Sequence, residues 1–456
     1  MPNIIIKNEY GEDELYEGVN TVRFLNEEGN VVSYKYNSGE EYARPTGNVH
    51  RVRFLDYDGF VLKEIYVDSG DTVYYPTTDP TRDGYTFIGW NWSEESLQTI
   101  TQNVDIGAMY VPDTLTDTEP RSATTIELYI SYNAEIRLAM YSAGVNTFNI
   151  DWGDGTSSTV NRTSAGSFYN THKYNMESAT MYHTVYITVT RTAGEDYYSF
   201  GVNPIGTSGS SYNIFYSSNS ISTGETGIRA ITFADEVTYV PSYMCCNCQG
   251  LRRIVLSNNT TYIGSRAFGD CASLEKIAIP PTVTEIGEYA FSGCGLLDIE
   301  TIPLGITQLQ QYTFYGCKSL QCAIPNGVTS IGARCFEGVR GEFVLPNTLE
   351  TLSSYAFAST RFSTITIPEG VTAVPQYCFN NSTYLRTLYL PSTITSMGYQ
   401  CFYNVRRLED LYIKATTPPT LESLALNTSI YRIHIPAGTK DAYTAVWGSK
   451  TYIEDQ

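Results

Sequence analysis

This chain has little of what catalysis needs. It carries four histidines, His50, His172, His183 and His434, and none stands in an HExxH, Cys-His or Ser-His-Asp grouping. It has no glycine-rich phosphate loop. Nothing in it therefore supports an enzyme, a cofactor or a bound metal. It has no run of 18 apolar residues, which excludes a membrane-spanning helix. The opening residues, Met1 to Asn8, lack the basic region and long apolar core of an export signal, and the last residues carry no hydrophobic tail. Positive charge is scarce, with 29 Lys and Arg against 48 Asp and Glu and a net charge of −19. A field of that sign repels phosphate backbones and anionic headgroups, so nucleic acid and membrane are poor partners. Long helical periodicity is missing as well.

What is present points to β structure. The 38 Tyr, with Val, Ile and Thr throughout, suit pleated, half-buried surfaces. At 456 residues the chain has room for several domains of roughly 100–200 residues each. In its C-terminal half a phenylalanine returns at Phe268, Phe291, Phe314, Phe336, Phe357, Phe379 and Phe402, in steps of 23, 23, 22, 21, 22 and 23. An apolar-Pro pair keeps the same beat from Ile279-Pro280 to Leu390-Pro391. Such a period is the signature of a stacked solenoid, in which no unit buries its own apolar face alone.

One unit shows the logic. Leu274, Ile277 and Ile279 point inward from a short strand that pairs with the next unit about 4.8 Å away. Pro280 ends the strand because it cannot donate to the ladder. Val283 and Ile286 fill the interior, Gly287 allows a tight turn, and Ala290 and Phe291 cover the convex side. Two units depart from the pattern: Glu300 falls where Ile277 would be, and the unit around Val339–Phe343 is one residue short, so bulging is expected at both. The pattern LxxIxIPxxVTxIGxxAFxxC resembles the BspA-like leucine-rich repeats. That resemblance implies a solenoid over residues 228–456, closed at its end by residues 437–456 with Tyr443 and Trp447.

Ahead of it lie three smaller parts. Residues 1–45 read as short strands at Asn3–Lys7, Thr21–Asn26 and Val31–Tyr36, too small for a large core. Residues 48–112 begin with a hairpin, Val52–Leu55 and Val61–Val67, around Asp58-Gly59. Its run FLDYDGFVLKEIYVDSGDTV…DPTRDGYTFIGW resembles the Listeria–Bacteroides repeat, which implies a ubiquitin-like spacer or adhesive module. A polar linker, 113–123, precedes residues 124–202, with strands near Ile126–Tyr132, Phe148–Trp152 and Thr184–Thr190. There the run Phe148 to Thr156, followed by His172 and Tyr174, resembles PKD-type immunoglobulin-like domains, with an insertion at Met176–His183. Asn203–Gly227, rich in Gly, Ser and Asn, reads as a loop or an irregular first turn of the solenoid. The fold class is thus mainly β and multidomain.

Cysteines fall on the repeat register. Cys245 lies in the phenylalanine column, Cys248, Cys271, Cys294 and Cys317 form a column of small apolar side chains, and Cys335, Cys378 and Cys401 precede a Phe where other units have Ala. Buried packing thiols are the leading reading, with rung-to-rung disulfides and metal as alternatives. Asp151 and Asp154 cap an Asp-Gly turn or contact calcium. Strand alternation points Thr232, Val255, Ala278, Thr301, Ala323, Val344, Thr366, Tyr389, Tyr412 and His434 outward on the concave sheet, with Asp410 and Arg432 in the next column. Tyr389, Tyr412, His434, Arg432 and Asp410 are the candidate ligand-binding residues, since aromatics beside Arg make binding anchors; the alternative is a ladder that serves only cross-strand packing.

The parts together suggest an adhesive protein. The missing export signal points to a bacteriophage virion protein, a head-decoration fibre or tail adhesin that is released by lysis. It would attach to other virion proteins through residues 1–45, bind host-surface or mucus glycans or proteins, and leave homo-oligomers open. The alternative is a bacterial cell-surface or secreted adhesin, and a third reading is the binding part of a glycan-active enzyme.

Overall fold

A computed structural model of the chain describes residues 49–455 apart from 57–60, 83–84, 93–96, 102, 113–120, 131–133, 175–182, 202–226, 300, 321–322, 342–343, 427–429 and 431. Ahead of residue 49 it describes four strands, Asn3–Lys7 antiparallel to Asp13–Glu17 and Thr21–Leu25 antiparallel to Val31–Lys35. The strand Asp13–Glu17 is one that the sequence reading of residues 1–45 did not include. The polar linker, the Met176–His183 insertion and the Asn203–Gly227 segment lie largely or wholly outside the described residues.

Residues 49–112 form a four-stranded sheet in the order Val61–Asp68, Val49–Leu55, Val104–Pro112, Tyr85–Trp90. Alternation turns Val52 and Phe54 to a core shared with Trp90, Leu97, Ile100, Val104 and Ile106. The Phe54 and Trp90 rings meet edge to face at 5.1 Å. The other face of this sheet carries Arg51, Arg53, Asp105 and Gly107, with Arg53 ion-paired to Asp105 at 2.5 Å.

Residues 123–200 build two facing sheets. One runs Ser157–Thr163, Val145–Asp151, His183–Ala193, Ala123–Ile130; the other Gly166–Lys173, Glu135–Ser142, Tyr198–Phe200. Ala123–Ile130 buries every second residue. Phe148 crosses the layer to Phe168 at 5.9 Å and to Tyr198 at 4.9 Å. The first sheet does not stop at its edge. Ala123–Ile130 pairs antiparallel with Gly227–Thr232, which pairs parallel with Arg253–Val255, the next rung of the solenoid. One hydrophobic cluster accordingly runs from Ile126 to Trp447. The two-sheet unit closes the N-terminal edge of the solenoid, an edge that would otherwise present unpaired backbone groups.

Within the solenoid, one ladder of parallel strands lines the concave face and a second, of two-residue strands such as Tyr262–Ile263 and Glu285–Ile286, lines the return. A third ladder joins the turns: Phe268 N–H donates to Ala290 O at 2.9 Å, Phe291 to Thr313 at 3.0 Å, and Phe379 to Cys401 at 2.9 Å. The phenylalanines stand in file, with ring centroids 5.5–5.9 Å apart from Phe268 to Phe402. All seven are fully buried, so the rings fill the interior and do not cover its outside. Gly287 is also placed for another reason than a turn: a Cβ there would stand 2.5 Å from the Ser265 amide nitrogen of the preceding rung. The glycine permits close approach of rungs.

The concave ladder is interrupted midway. Between Lys276–Ala278 and Thr364–Thr366 the described residues make only single bridges, Lys276 to Asp298 and Thr301 to Ala323. Ile299, fully buried, takes the core place of Ile277, so the register slips by one residue next to Glu300. At the C-terminal end Arg432–Pro436 pairs with Tyr452–Asp455, and the helix Lys440–Trp447 covers the core. Tyr443 donates to Ala415 O at 2.6 Å and Trp447 Nε1 to Pro419 O at 2.9 Å.

Candidate functional site

The strand register brings the outward column together as the alternation requires. Thr366 pairs with Tyr389, Tyr389 with Tyr412 and Tyr412 with His434. Tyr389 and Tyr412 stack at 4.5 Å, and Tyr412 and His434 at 3.9 Å. Arg432 grips Asp410 with two hydrogen bonds, 2.5 Å and 2.7 Å. His434 lies between Asp410 and Asp455, 3.0 Å from each. Burial raises the Asp410 pKa, but hydrogen bonds from Arg432 and His434 outweigh it and hold the group below the usual carboxylate range. Burial lowers the His434 pKa, and the two carboxylates more than reverse this and leave it raised. His434 is thus largely buried, held at the end of the stack, while the Arg432 side chain remains half exposed.

Part of this face is covered by the chain itself. The Arg51 guanidinium sits over the Tyr389 ring, 5.5 Å from its centre. Asn91, fully buried, donates to Ile324 O at 3.4 Å and accepts from the Gly107 amide at 2.6 Å. A Cβ at Gly107 would lie 3.1 Å from the Ala323 Cβ and 3.5 Å from that of Val344. Lys414 reaches Thr101 O at 2.5 Å. The sheet of residues 49–112 therefore docks across the concave face, over the rungs where the ladder is interrupted. Ala323 and Val344, expected to face solvent, are buried.

Sequence reasoning missed a second array. Two residues before each member of the column, Cys245 in the first rung and Phe in the rest, the backbone is left-handed: Tyr243, Arg266, Tyr289, Tyr312, Arg334, Tyr355, Tyr377 and Gln400 have φ between 49° and 63°. Tyr289 and Tyr312 stack at 4.3 Å, and Tyr355 and Tyr377 at 4.5 Å. Arg266 lies 4.1 Å from the Tyr289 ring centre, and Arg334 bridges the two pairs, 5.8 Å from Tyr312 and 3.9 Å from Tyr355. The result is one unbroken stack along the turn edge. Two residues after the Phe the backbone is left-handed again, but there the residues are Asp270, Gly293, Gly316, Gly338, Ser359, Asn381 and Asn404. The period of Tyr and Arg was visible in the sequence; the backbone angle was not.

Residues 218–341 and 308–430 match the family described as the BspA type leucine rich repeat region, in six copies. The matched residues, 218–430, fall on the parallel β-solenoid described above. A leucine rich cell surface protein from Faecalibacterium prausnitzii is 18% identical over 56% of this chain and 96% of its own, with a TM-score of 0.30. A leucine-rich repeat protein from Bacteroides ovatus is 17% identical over 50% of this chain and 84% of its own, with a TM-score of 0.26. The leucine rich repeat protein of T. pallidum is 21% identical over 50% and 86%, with a TM-score of 0.28. A search of the curated proteins found no match.

In the leucine-rich repeats the cysteine column does more than pack. Cys294 Sγ donates to Phe268 O at 3.0 Å and Cys317 Sγ to Phe291 O at 3.1 Å, each one rung back. Ser382 makes the same bond to Phe357 O at 2.8 Å. A small donor can make this bond whether it is cysteine or serine, while Val339 and Val405 fill the same position in their rungs by packing. Burial pushes the Cys294 thiol up to about 12, so it is held as a thiol at neutral pH. In the two-sheet unit, Asp154 accepts from the Thr156 amide at 3.0 Å and lies 2.7 Å from His172 Nε2, while Asp151 accepts from the Gly153 amide at 2.9 Å. Both aspartates are engaged within the turn, and His172 stacks on Trp152 at 4.8 Å. Among the described residues no three His, Cys, Asp or Glu side chains are grouped to hold a metal ion.

Proposed function

We propose that the chain is a non-enzymatic adhesive protein that works outside the cell that makes it and binds host-surface or mucus glycans or proteins. BspA-type leucine-rich repeat proteins are typically surface adhesin-like, which supports a bacterial surface setting. One observation carries the binding role: the residue choice at the left-handed positions. A bulky side chain at positive φ costs roughly 1–2 kcal/mol. After each Phe, Ser359 apart, the chain lowers that cost with Gly, Asn or Asp; before each it accepts the cost, for Tyr or Arg in every rung up to Tyr377 and for Gln400 in the last. Strain of this kind concentrates where function demands a particular side chain. Tyr and Arg are also the residues enriched at binding hot spots.

The Tyr389–Tyr412–His434 stack with Arg432 and Asp410 offers a second surface where residues 49–112 leave it open. Display on a phage particle through residues 1–45 is a variant setting of the same function. The test is binding to immobilised mucin by the wild type and by Tyr289→Gly, Tyr312→Gly and Tyr355→Gly combined. The reading expects binding to fall with the fold intact. If the triple variant loses its fold, the stack serves the solenoid itself; if it binds unchanged, the stack is not the contact surface.

A further inference from the structure

On the adhesive reading above, the class of one partner follows from a different surface, the edge that follows each cysteine position. The residue before the inward Leu274 and its equivalents runs Ser273, Leu296, Ser319, Arg340, Arg361, Tyr384, Arg407 along successive rungs. Three of its last four residues are cationic, and all four are exposed. Arg361 and Arg407 lie over opposite sides of Tyr384, 5.2 Å and 5.6 Å from its ring centre. The ring fixes both guanidinium groups through cation–π contact and leaves their N–H edges toward water. Among the described residues none of Arg340, Arg361 and Arg407 is ion-paired. Neighbouring Arg334 and Arg386 are, to Glu337 at 2.7 Å and Glu409 at 3.2 Å. A row of exposed arginines with no ion pair among the described residues stands out on a chain of net charge −19.

We propose that Arg340, Arg361, Tyr384 and Arg407 form a binding stripe for a linear acidic glycan. The spacing carries the class. Rungs lie about 4.8 Å apart, so Arg340 and Arg361 are about 5 Å apart along the axis and Arg361 and Arg407 about 10 Å. A straight row at that pitch suits a polymer whose carboxylates or sulfates recur every one or two sugars. Each guanidinium can grip such a group with two parallel N–H donors. Both faces of Tyr384 are occupied, so recognition runs through charge and hydrogen bonds, not through sugar stacking on the ring. The surrounding negative field confines contact to the stripe, so such a polymer is held by the short segment that crosses the arginines.

The experiment measures binding of the full chain to immobilised chondroitin sulfate, hyaluronan, neutral dextran and single-stranded DNA across a salt series. The proposal expects binding to the two acidic glycans and none to dextran. It expects Arg361→Gln with Arg407→Gln to weaken that binding roughly tenfold or more, since each charged hydrogen bond lost is worth about that factor. The double variant also flattens the fall of affinity with salt, because fewer charges are neutralised. The triple tyrosine-to-glycine variant keeps acidic-glycan binding, which separates the two surfaces. Three results overturn the proposal: no binding to either acidic glycan, binding unchanged in the double variant, or DNA bound as tightly as glycan. If these occur while mucin binding through the tyrosine stack persists, the stripe fails and the adhesive reading stands.

Discussion

The concave face and the turn edge of the solenoid are built from the same repeats and end in opposite situations. Over rungs 323–389 the concave face is closed by the sheet of residues 49–112, with Asn91, Gly107 and Arg51 in contact. Elsewhere the solenoid stays open: the Tyr and Arg array lines the turn edge, and exposed Arg340, Arg361, Tyr384 and Arg407 line the separate edge that follows each cysteine position. The face that strand alternation offers for binding is partly consumed by the chain's own fold. Of the surfaces left for partners, the turn edge is the one that depends on backbone angles.

Breaking what both surfaces share should have the largest effect. Phe314 stands mid-column, 5.8 Å from Phe291 and 5.7 Å from Phe336, and is fully buried. Phe314→Ala opens a cavity and should cost about 3–5 kcal/mol, lowering the midpoint in denaturant melts and loosening both faces together. A loss well under 1 kcal/mol would mean that the column is not the spine of the stack.

Gly107→Val acts on the concave side alone. Its side chain meets Ala323 and Val344, and overpacking costs about 1–3 kcal/mol. Hydrogen exchange should show residues 323–344 losing protection while the rungs around Phe268 and Phe291 keep theirs. Equal protection in both proteins would argue that the two parts do not press together in solution.

Acid should loosen the same contact more gently. His50 is buried near Lys414, and burial, then the Lys414 charge, lowers its pKa to about 4. Burial lowers Lys414 to about 8 even though Glu369 opposes this. A histidine whose pKa falls on docking takes up a proton on release. The His50 contribution to docking is therefore fully present above about pH 6.5 and is lost as pH falls toward 4, whereas the lowered Lys414 pKa acts only at alkaline pH, above about 8. His50→Gln should flatten the pH dependence, read as proteolytic release of residues 49–112 between pH 7 and 4.5.

Much of the solenoid was legible in the sequence because its constraint is one of side chains. Only an apolar residue can fill the Phe268 to Phe402 file, and only a non-donor such as Pro280 ends the strand cleanly. The outward column from Thr232 to His434 followed from alternation. The unit at 123–200 was read in part: strands around Ile126, Phe148 and Thr184 were visible as β-rich runs. Glu135–Ser142, Ser157–Thr163 and Gly166–Lys173 were not, since polar residues on their open faces blur the pattern. The covering of Ala323 and Val344 was invisible, because docking depends on contacts more than 200 residues apart in sequence. The left-handed angles were hidden too, since Tyr and Arg are poor indicators of positive φ, whereas Gly293 and Asn381 advertise it.

That contrast sets up the smallest expected effect. Tyr355 and Ser359 flank Phe357 with φ of 59° and 58°. Ser359→Gly relieves positive-φ strain and gives up the exposed hydrogen bond that Ser359 Oγ accepts from Asn381 Nδ2 at 3.2 Å, so with the added flexibility of the unfolded chain stability should change by only a few tenths of a kcal/mol. Tyr355→Gly relieves more strain, about 1–2 kcal/mol, and forfeits stacking on Tyr377 and Arg334, about 0.5–1.5 kcal/mol. The two terms nearly cancel, so its denaturation midpoint should stay close to that of the wild type. A drop of more than about 2 kcal/mol, beyond what that stacking can supply, would make the tyrosines structural supports of the turn. A neutral result leaves contact with a partner as the reason the chain keeps Tyr where Gly would fold as well.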